Sequence, residues 1–412
     1  MSIPLAEYEA IVGSSTVAQL RRLGEKLAGL RVVHVNSTRE GGGVAEILEW
    51  MVPHMRDVGV DASWEVVHGD PLFFDITKAI HNGLQGKSVD LSAKDWRIFQ
   101  DVNERNAVRL RHLLEDADIV VIHDPQPAYL LNFCPNRKGR WIWRAHIDIS
   151  RPFREVWKVF RTFVENYDAS VFSMAEFAQP LPHPQFLVPP SIDPLSEKNR
   201  DMNPAVLSSV RAEFGLDQNR PLLVQISRFD RFKDPIGVIK AYRLVRKITP
   251  VQLVLAGGGA TDDPEGKEVY QDVMAAAAGD PDIHVLLLPM DAHKTINALQ
   301  RLADIILQKS TREGFGLTVT EGMWKGKPVI GGDVGGIRLQ VVNYHTGFLV
   351  NSPEGAAHRI RYLLHHRERI SEMGGVAKEF VRDNFLLTRQ LRECLTLFFA
   401  IRSGKKKRTF QV

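Results

Sequence analysis

Cysteine is scarce in this chain: Cys134 and Cys394 are the two among 412 residues, and they lie far apart in the sequence. That count excludes a disulfide framework and any C-x-x-C metal or redox pair, and a reducing cytoplasm is the expectation. Long apolar runs are missing too. No uncharged stretch approaches the ~18 residues needed to span a bilayer, so no membrane partner is expected. The stretch MSIPLAEYEAIVG carries Glu7 and Glu9 and has neither a basic start nor a long apolar core, which argues against a secretory signal. A one-sided charge is absent as well, since 53 basic residues face 49 acidic ones for a formal charge of +4. Such a balance does not mark a nucleic-acid binder, whereas an anionic small substrate fits it. The one dense basic run, Lys405-Lys406-Lys407-Arg408, reads as a solvated tail. Low-complexity tracts and short-period repeats are absent.

What the chain has is length and alternation. Its 412 residues exceed one ordinary core, and ~100 to 200 residues per domain predicts two. From residue 31 onward, short β-branched runs alternate with helical patterns, the signature of parallel sheets wrapped by helices. In the first half the predicted strands are 32–35, 64–67, 119–122, 141–143 and 169–172. In the second half they are 222–226, 252–255, 284–287, 305–307 and 328–330. Four prolines within residues 189–204 predict a stiff linker over 190–204. The expected division is a domain over 1–190, a second over 205–385, and a closing helix with a basic tail over 386–412. The fold class is α/β, one plan run twice.

In open parallel sheets, ligands sit beyond the carboxyl ends of the strands, so residues that follow strands directly carry the most information. Glu313 and Glu321 stand eight positions apart after the strand at 305–307, with Gly314, Phe315, Gly316 and Leu317 between them. The lack of a breaker from Leu317 to Lys325 predicts a helix, with Glu313 in the preceding loop and Glu321 one turn inside. Open N–H groups at such a start attract phosphate. Taken alone, the two carboxylates also allow a hydrolytic acid and base pair or an ordinary polar surface. After strand 222–226, Arg228 and Lys233 in SRFDRFKD could meet a diphosphate, Arg as a fork and Lys as a point charge. Gly257-Gly258-Gly259 forms another permissive loop.

In the first half, Asn36 and the loop Gly41-Gly42-Gly43 follow the first strand, and a helix follows the glycines. That loop is not G-x-G-x-x-G, and by itself it allows a ligand-free tight turn. His123, Asp124 and Gln126 follow another strand, with Pro127 suited to a helix start. Arg144, His146 and Asp148 follow a third. A hydrogen-bonded core histidine is the plain alternative for His123 or His146. Metal dependence has little support: Asp116-Ala117-Asp118 precedes its strand, the wrong end for a ligand, and Asp262-Asp263 beside Pro264 reads as turn chemistry.

With these residues in place, the chain resembles the retaining glycosyltransferases of the two-Rossmann-domain, GT-B type, family 4. The E-x7-E of Glu313 and Glu321, the Arg and Lys of SRFDRFK and the early Gly-rich loop are that family's motifs. HVNST, GGGVAEIL, IHDPQPA, WRAHIDIS, VPPSIDPLSEKN and REGFGLTVTEGMWKGKPVIGGDVGGI look like its trehalose-forming branch, and the resemblance runs from about residue 31 to 385. It implies two Rossmann-like domains facing each other across a cleft. It also implies reversible transfer of glucose from ADP-, UDP- or GDP-glucose to free glucose, giving α,α-trehalose with retention.

Carried over by position, Arg228 and Lys233 would hold the diphosphate as it leaves, Glu313 would contact the transferred glucose and Glu321 the ribose. Gly314 to Leu317 and Gly41 to Gly43 would line the donor, His146 would sit beside the donor sugar, and Asn36, Asp124 and Gln126 would define the acceptor side. No cofactor is required by this resemblance; a stimulatory Mg2+ and a homodimer stay open. Two departures stand out, Asp234 where Gly is common and Gly322-Met323-Trp324-Lys325 after the second Glu. The competing readings are a retaining trehalose phosphorylase, sucrose-type or glycogen-type synthases, an epimerase of the same shape, and a non-catalytic nucleotide-sugar sensor.

Overall fold

Continuous apolar runs bounded by turn residues form strands buried on both faces, and here they build two parallel sheets. The computed structural model describes residues 3–40, 42–258, 264–402 and 410–411. Gly41, Gly259, Asp262, Asp263 and Lys405 to Arg408, all named above, lie outside the described residues. The chain divides into two compact units, residues 1–190 with 387–412, and residues 191–386.

In the first unit the strands are β1 (Arg31–Asn36), β2 (Asp61–Val66), β3 (Ile119–His123), β4 (Arg140–Arg144), β5 (Ala169–Phe172) and β6 (Gln185–Leu187). They lie in the order β6-β5-β4-β3-β1-β2, with Phe410–Gln411 paired beyond β6. The register sets His34 of β1 opposite Val121 of β3 and His123 of β3 opposite Arg144 of β4, so several polar residues end up at the carboxyl side of one sheet. The helix Leu387–Arg402 also belongs to this unit and buries Leu391, Leu395, Leu397 and Phe398. Its Arg389 donates to the carbonyls of Pro189 and Pro190, both at 2.9 Å. Segment 386–412 is therefore part of the first unit's packing from Leu387 onward.

The second unit holds β7 (Leu222–Ile226), β8 (Gln252–Gly258), β9 (Ile283–Leu288), β10 (Ile305–Gln308), β11 (Val329–Gly332) and β12 (Gly347–Val350) in the order β12-β11-β10-β7-β8-β9. The proline-rich stretch over 190–204 is not a free connector. Ile192 bridges Leu386, and Asn297 donates to the carbonyls of Glu197 and Arg200 at 2.9 and 2.8 Å.

Two local expectations are corrected and one departure is explained. β6 and β12 were not anticipated, because each is only three or four residues long with little β-branched sequence. Pro127 starts no α-helix: a turn runs into the 3-10 segment Leu130–Phe133, after Asp124 has taken a left-handed φ of 62°. Gly322, one of the departures named above, has a packing reason. A Cβ there would lie 2.8 Å from Ile306 Cγ1, so glycine lets the helix sit directly on β10.

Candidate functional site

At the carboxyl ends of β7 and β10 the second unit gathers Arg228, Lys233, Glu313 and the start of the helix Leu317–Trp324. Lys233 Nζ donates to Glu313 Oε2 at 2.5 Å, and Ser310 Oγ donates to the same oxygen at 3.0 Å. Glu313 is 9% exposed, so this ion pair is largely withdrawn from water. Arg228 differs: its side chain is 66% exposed and meets only the Asp230 carboxylate, at 3.5 Å, among the described residues. Two cations, one engaged and one available, thus stand near the loop over 313–316.

That loop is held from below. Gln340 Nε2 donates to the carbonyl of Phe315 at 2.7 Å, while its Oε1 accepts from Thr320 at 2.6 Å. Phe315 packs edge-on against Phe385, with ring centroids 5.4 Å apart. Gly316 turns the chain with φ of 85°, a conformation that costs other residues strain, and no side chain caps the helix that follows. The first-turn N–H groups are therefore suited to an anion.

Glu321 is not the exposed helix residue that a plain surface reading would make it. It is 1% exposed, accepts from Gln300 Nε2 at 3.0 Å, and has Lys198 Nζ 3.4 Å from its other oxygen. Burial alone pushes its carboxyl up, but Lys198 and Lys325, helped by Gln300, outweigh that and hold it below the usual range. In this arrangement its oxygens face Lys198 and Gln300, so a ribose contact would have to compete with Lys198.

Asp234 also finds its reason here. Its φ of 48° is left-handed, the conformation that favours glycine, and its carboxylate caps Gly237 N at 3.0 Å while pairing with Lys309. The sequence reading missed Lys198, Lys309, Ser310 and Gln340. Lys309 and Ser310 follow β10 directly and could have been found by that rule; Lys198 and Gln340 carry no such signal.

The first unit brings together Asp124, His123 and His146 after β3 and β4. His146 N donates to Asp124 Oδ1 at 2.8 Å, and the Asp124 N–H donates to the Arg144 carbonyl at 2.9 Å. Burial pushes the Asp124 carboxyl up to about 7 despite that hydrogen bond and the Arg144 charge. Burial, with Arg144 adding to it, holds His34 at about 3 and His146 well below its ordinary value. His123 is lowered in the same way, with His146, His34 and Arg144 as further causes.

Gln126 keeps Oε1 buried with no hydrogen-bond partner among the described residues, the kind of group a ligand hydroxyl would satisfy. Asn36 is 2% exposed and fully engaged, accepting from Trp64 Nε1 at 2.7 Å and donating to the Thr38 carbonyl at 2.8 Å. Its role in view is to shape the loop leading to Gly42 and Gly43. Those two glycines are exposed, and the helix Gly43–Asp57 begins there with no side-chain cap. Asp148 is spent on a turn, accepting from Ser150 N and Oγ at 2.9 and 2.6 Å.

The acidic triplets are structural. Asp116 pairs with Lys138 at 2.5 Å and Asp118 accepts from Arg31 N at 2.9 Å. A second triplet, Asp280-Pro281-Asp282, pairs with Arg220 and Arg246. No helix among the described residues is long and apolar enough to cross a membrane.

Two parallel Rossmann-like sheets, with cations and an uncapped helix start at the carboxyl ends of the second, define a glycosyltransferase of the GT-B class. A family profile described as glycosyl transferases group 1 matches residues 208–380, and one described as trehalose synthase, N-terminal domain, matches residues 34–179. The chain belongs to the trehalose synthase family. It is 45% identical to the trehalose synthase of Pyrococcus horikoshii, covering 95% of each chain, and 44% identical to that of Rubrobacter xylanophilus, covering 96% of each. A solved E. coli structure described as trehalose-6-phosphate bound with UDP-2-fluoro glucose superimposes with a TM-score of 0.73 at 14% identity. The match covers 91% of this chain and all of that one, and it shows the fold.

Proposed function

We propose that the protein is a retaining glucosyltransferase that moves glucose from a nucleoside diphosphate glucose to free glucose, giving α,α-trehalose, and that it also runs in reverse. The observation that carries this reading is the Lys233–Glu313 pair beside the exposed Arg228 and the uncapped helix start at Leu317. A diphosphate at this position would meet one forked cation, one point charge and open backbone N–H groups, so charge developing on the leaving group is neutralised as the glycosidic bond breaks. These groups make a metal dispensable in the proposed reaction, and stimulation by Mg2+ is a separate question for assay.

Glu313, held by Ser310 and Lys233, orients glucose hydroxyls. Departure of the diphosphate leaves an oxocarbenium-like sugar, and a leaving-group oxygen on the same face takes the proton of the incoming hydroxyl, which accounts for retention without a protein nucleophile. Gln126, with its unpaired Oε1, and Asp124 serve the acceptor. Glu321 contributes to the donor site through Lys198 and Gln300 as well as by any ribose contact.

A donor-by-acceptor screen tests the reading: ADP-, UDP- and GDP-glucose are paired with glucose and other sugars, and nucleotide release and the disaccharide are identified. Trehalose formation is expected. Glucose 1-phosphate from trehalose and inorganic phosphate would instead indicate a phosphorylase, and donor binding without acceptor-dependent release would indicate a sensor. Arg228→Ala gives a sharper check. Since the side chain is largely exposed, its removal is expected to leave thermal stability in place while lowering kcat/KM for the donor by about 10- to 100-fold. Unchanged transfer kinetics would remove Arg228 from the mechanism.

A further inference from the structure

Three histidines from neighbouring strand ends form one hydrogen-bonded file in the first unit. Nδ1 of His34 on β1 lies 3.0 Å from Nε2 of His123 on β3, and Nδ1 of His123 lies 2.9 Å from Nε2 of His146 just after β4. A neutral imidazole carries one N–H and one bare nitrogen. The two hydrogen bonds must therefore run in the same direction along the file, and turning the tautomer of one ring turns all three. Burial keeps each ring uncharged at neutral pH.

The inner end of the file decides the direction. His34 Nε2 is buried without a hydrogen-bond partner among the described residues and lines a small cavity of about 20 Å³ together with Arg144, Cys394 and Phe398. Arg144 is 5% exposed, and its guanidinium can only donate. A nearby cation favours a lone pair facing it over an N–H, so the inner Nε2 is the bare nitrogen. His34 Nδ1 then donates to His123 Nε2, and His123 Nδ1 donates to His146 Nε2. The proton of His146 is left on Nδ1, which has no hydrogen-bond partner among the described residues. The main chain of His146 is fixed independently by the bond from its N–H to Asp124.

We infer that His34 and His123 are positioning residues that lock His146 in its Nδ1–H tautomer, so that it offers a hydrogen-bond donor, not a lone pair, to an oxygen of the bound sugar. The inference rests on the reading of His146 as the residue beside the transferred glucose. It accounts for a feature that packing alone does not explain: three adjoining polar rings at the carboxyl side of one sheet, two buried and the third half-buried, with a polar atom at the inner end that has no partner among the described residues.

Histidine-selective 15N NMR of the full chain at neutral pH reads the tautomer directly, with His146 assigned by its disappearance in His146→Asn. A pyrrole-type Nδ1 and a pyridine-type Nε2 are expected; the reverse pattern overturns the inference. In transfer assays His34→Leu, which removes the donor at the inner end, is expected to lower kcat about tenfold with donor KM little changed. His34→Asn places an amide N–H near the position of Nδ1 and is expected to hold kcat within about threefold of the parent chain. Equal losses in both variants, or none in His34→Leu, would refute the positioning role. If the parent chain transfers no glucose with any donor, the functional reading fails, and the NMR signature still decides the tautomer.

Discussion

Lys233→Ala is expected to lower glucosyl transfer by about a hundred- to a thousandfold, the scale on which the loss of one preorganised charge at a reacting centre is felt. The residue is expected to serve two partners in turn. Without donor it neutralises Glu313 across 2.5 Å in a setting where Glu313 is 9% exposed. With donor it stabilises the departing diphosphate. Alanine removes both, so the variant is also expected to lose about 1 to 3 kcal/mol of stability, because a largely buried carboxylate is left with Ser310 alone. The two losses can be separated. Lys233→Ala combined with Glu313→Gln removes the unpaired charge and is expected to recover most of the stability while recovering none of the turnover. Thermal unfolding and initial rates on the four members of the cycle measure the coupling. A double variant that regains turnover would show that Lys233 acts only by holding Glu313.

Acid is expected to undo the first unit well above the pH at which ordinary carboxylates titrate. His34 has its pKa held at about 3 against 6.5 in an unfolded chain, and His123 and His146 are held well below their ordinary value, all by burial first. Below pH 6.5 the unfolded chain binds protons that these rings refuse while folded, so their contribution falls as pH drops below about 6.5, for His34 until about 3. Asp124 acts oppositely. Its folded pKa is raised to about 7 from 3.8, so its contribution is present at low pH and is lost as pH rises through about 7. Between 3.8 and 6.5 the contributions of His34 and Asp124 oppose each other, and the lowered His123 and His146 tip the balance, so stability should drop as pH falls below about 6.5.

Urea unfolding followed by tryptophan fluorescence reports on this unit, since Trp324 alone of the seven tryptophans lies in the second. His123→Gln is expected to flatten the slope by about one proton. A parent chain equally stable at pH 7 and pH 5 would contradict the burial of neutral rings described above.

Much of this was legible in the sequence because strands and their carboxyl ends are written locally. The runs VVHV, IVVI, LLVQI and DIILQ announce buried parallel strands by composition, and the loops after them hold Arg228, Lys233 and Glu313 at positions that a rule about strand ends picks out. The helix start at Leu317 was likewise visible, from the breaker-free run that follows it to Lys325. The short strands β6 and β12 were not, since three or four residues carry too short a pattern to announce a strand and take their conformation from the neighbours they pair with.

The sequence by itself determined the fold class, the strand ends that carry polar chemistry and the residue types gathered there, because these depend on periodicity and turn chemistry within a few residues. Only the tertiary structure decided which polar groups meet. It paired Lys233 with a glutamate 80 positions away, buried Glu321 against Lys198, used both ends of the Asn36 amide on Trp64 and Thr38, and strung His34, His123 and His146 into one file. Each of these contacts depends on strand order and sheet register, which bring together residues far apart along the chain, and no local pattern encodes that distance.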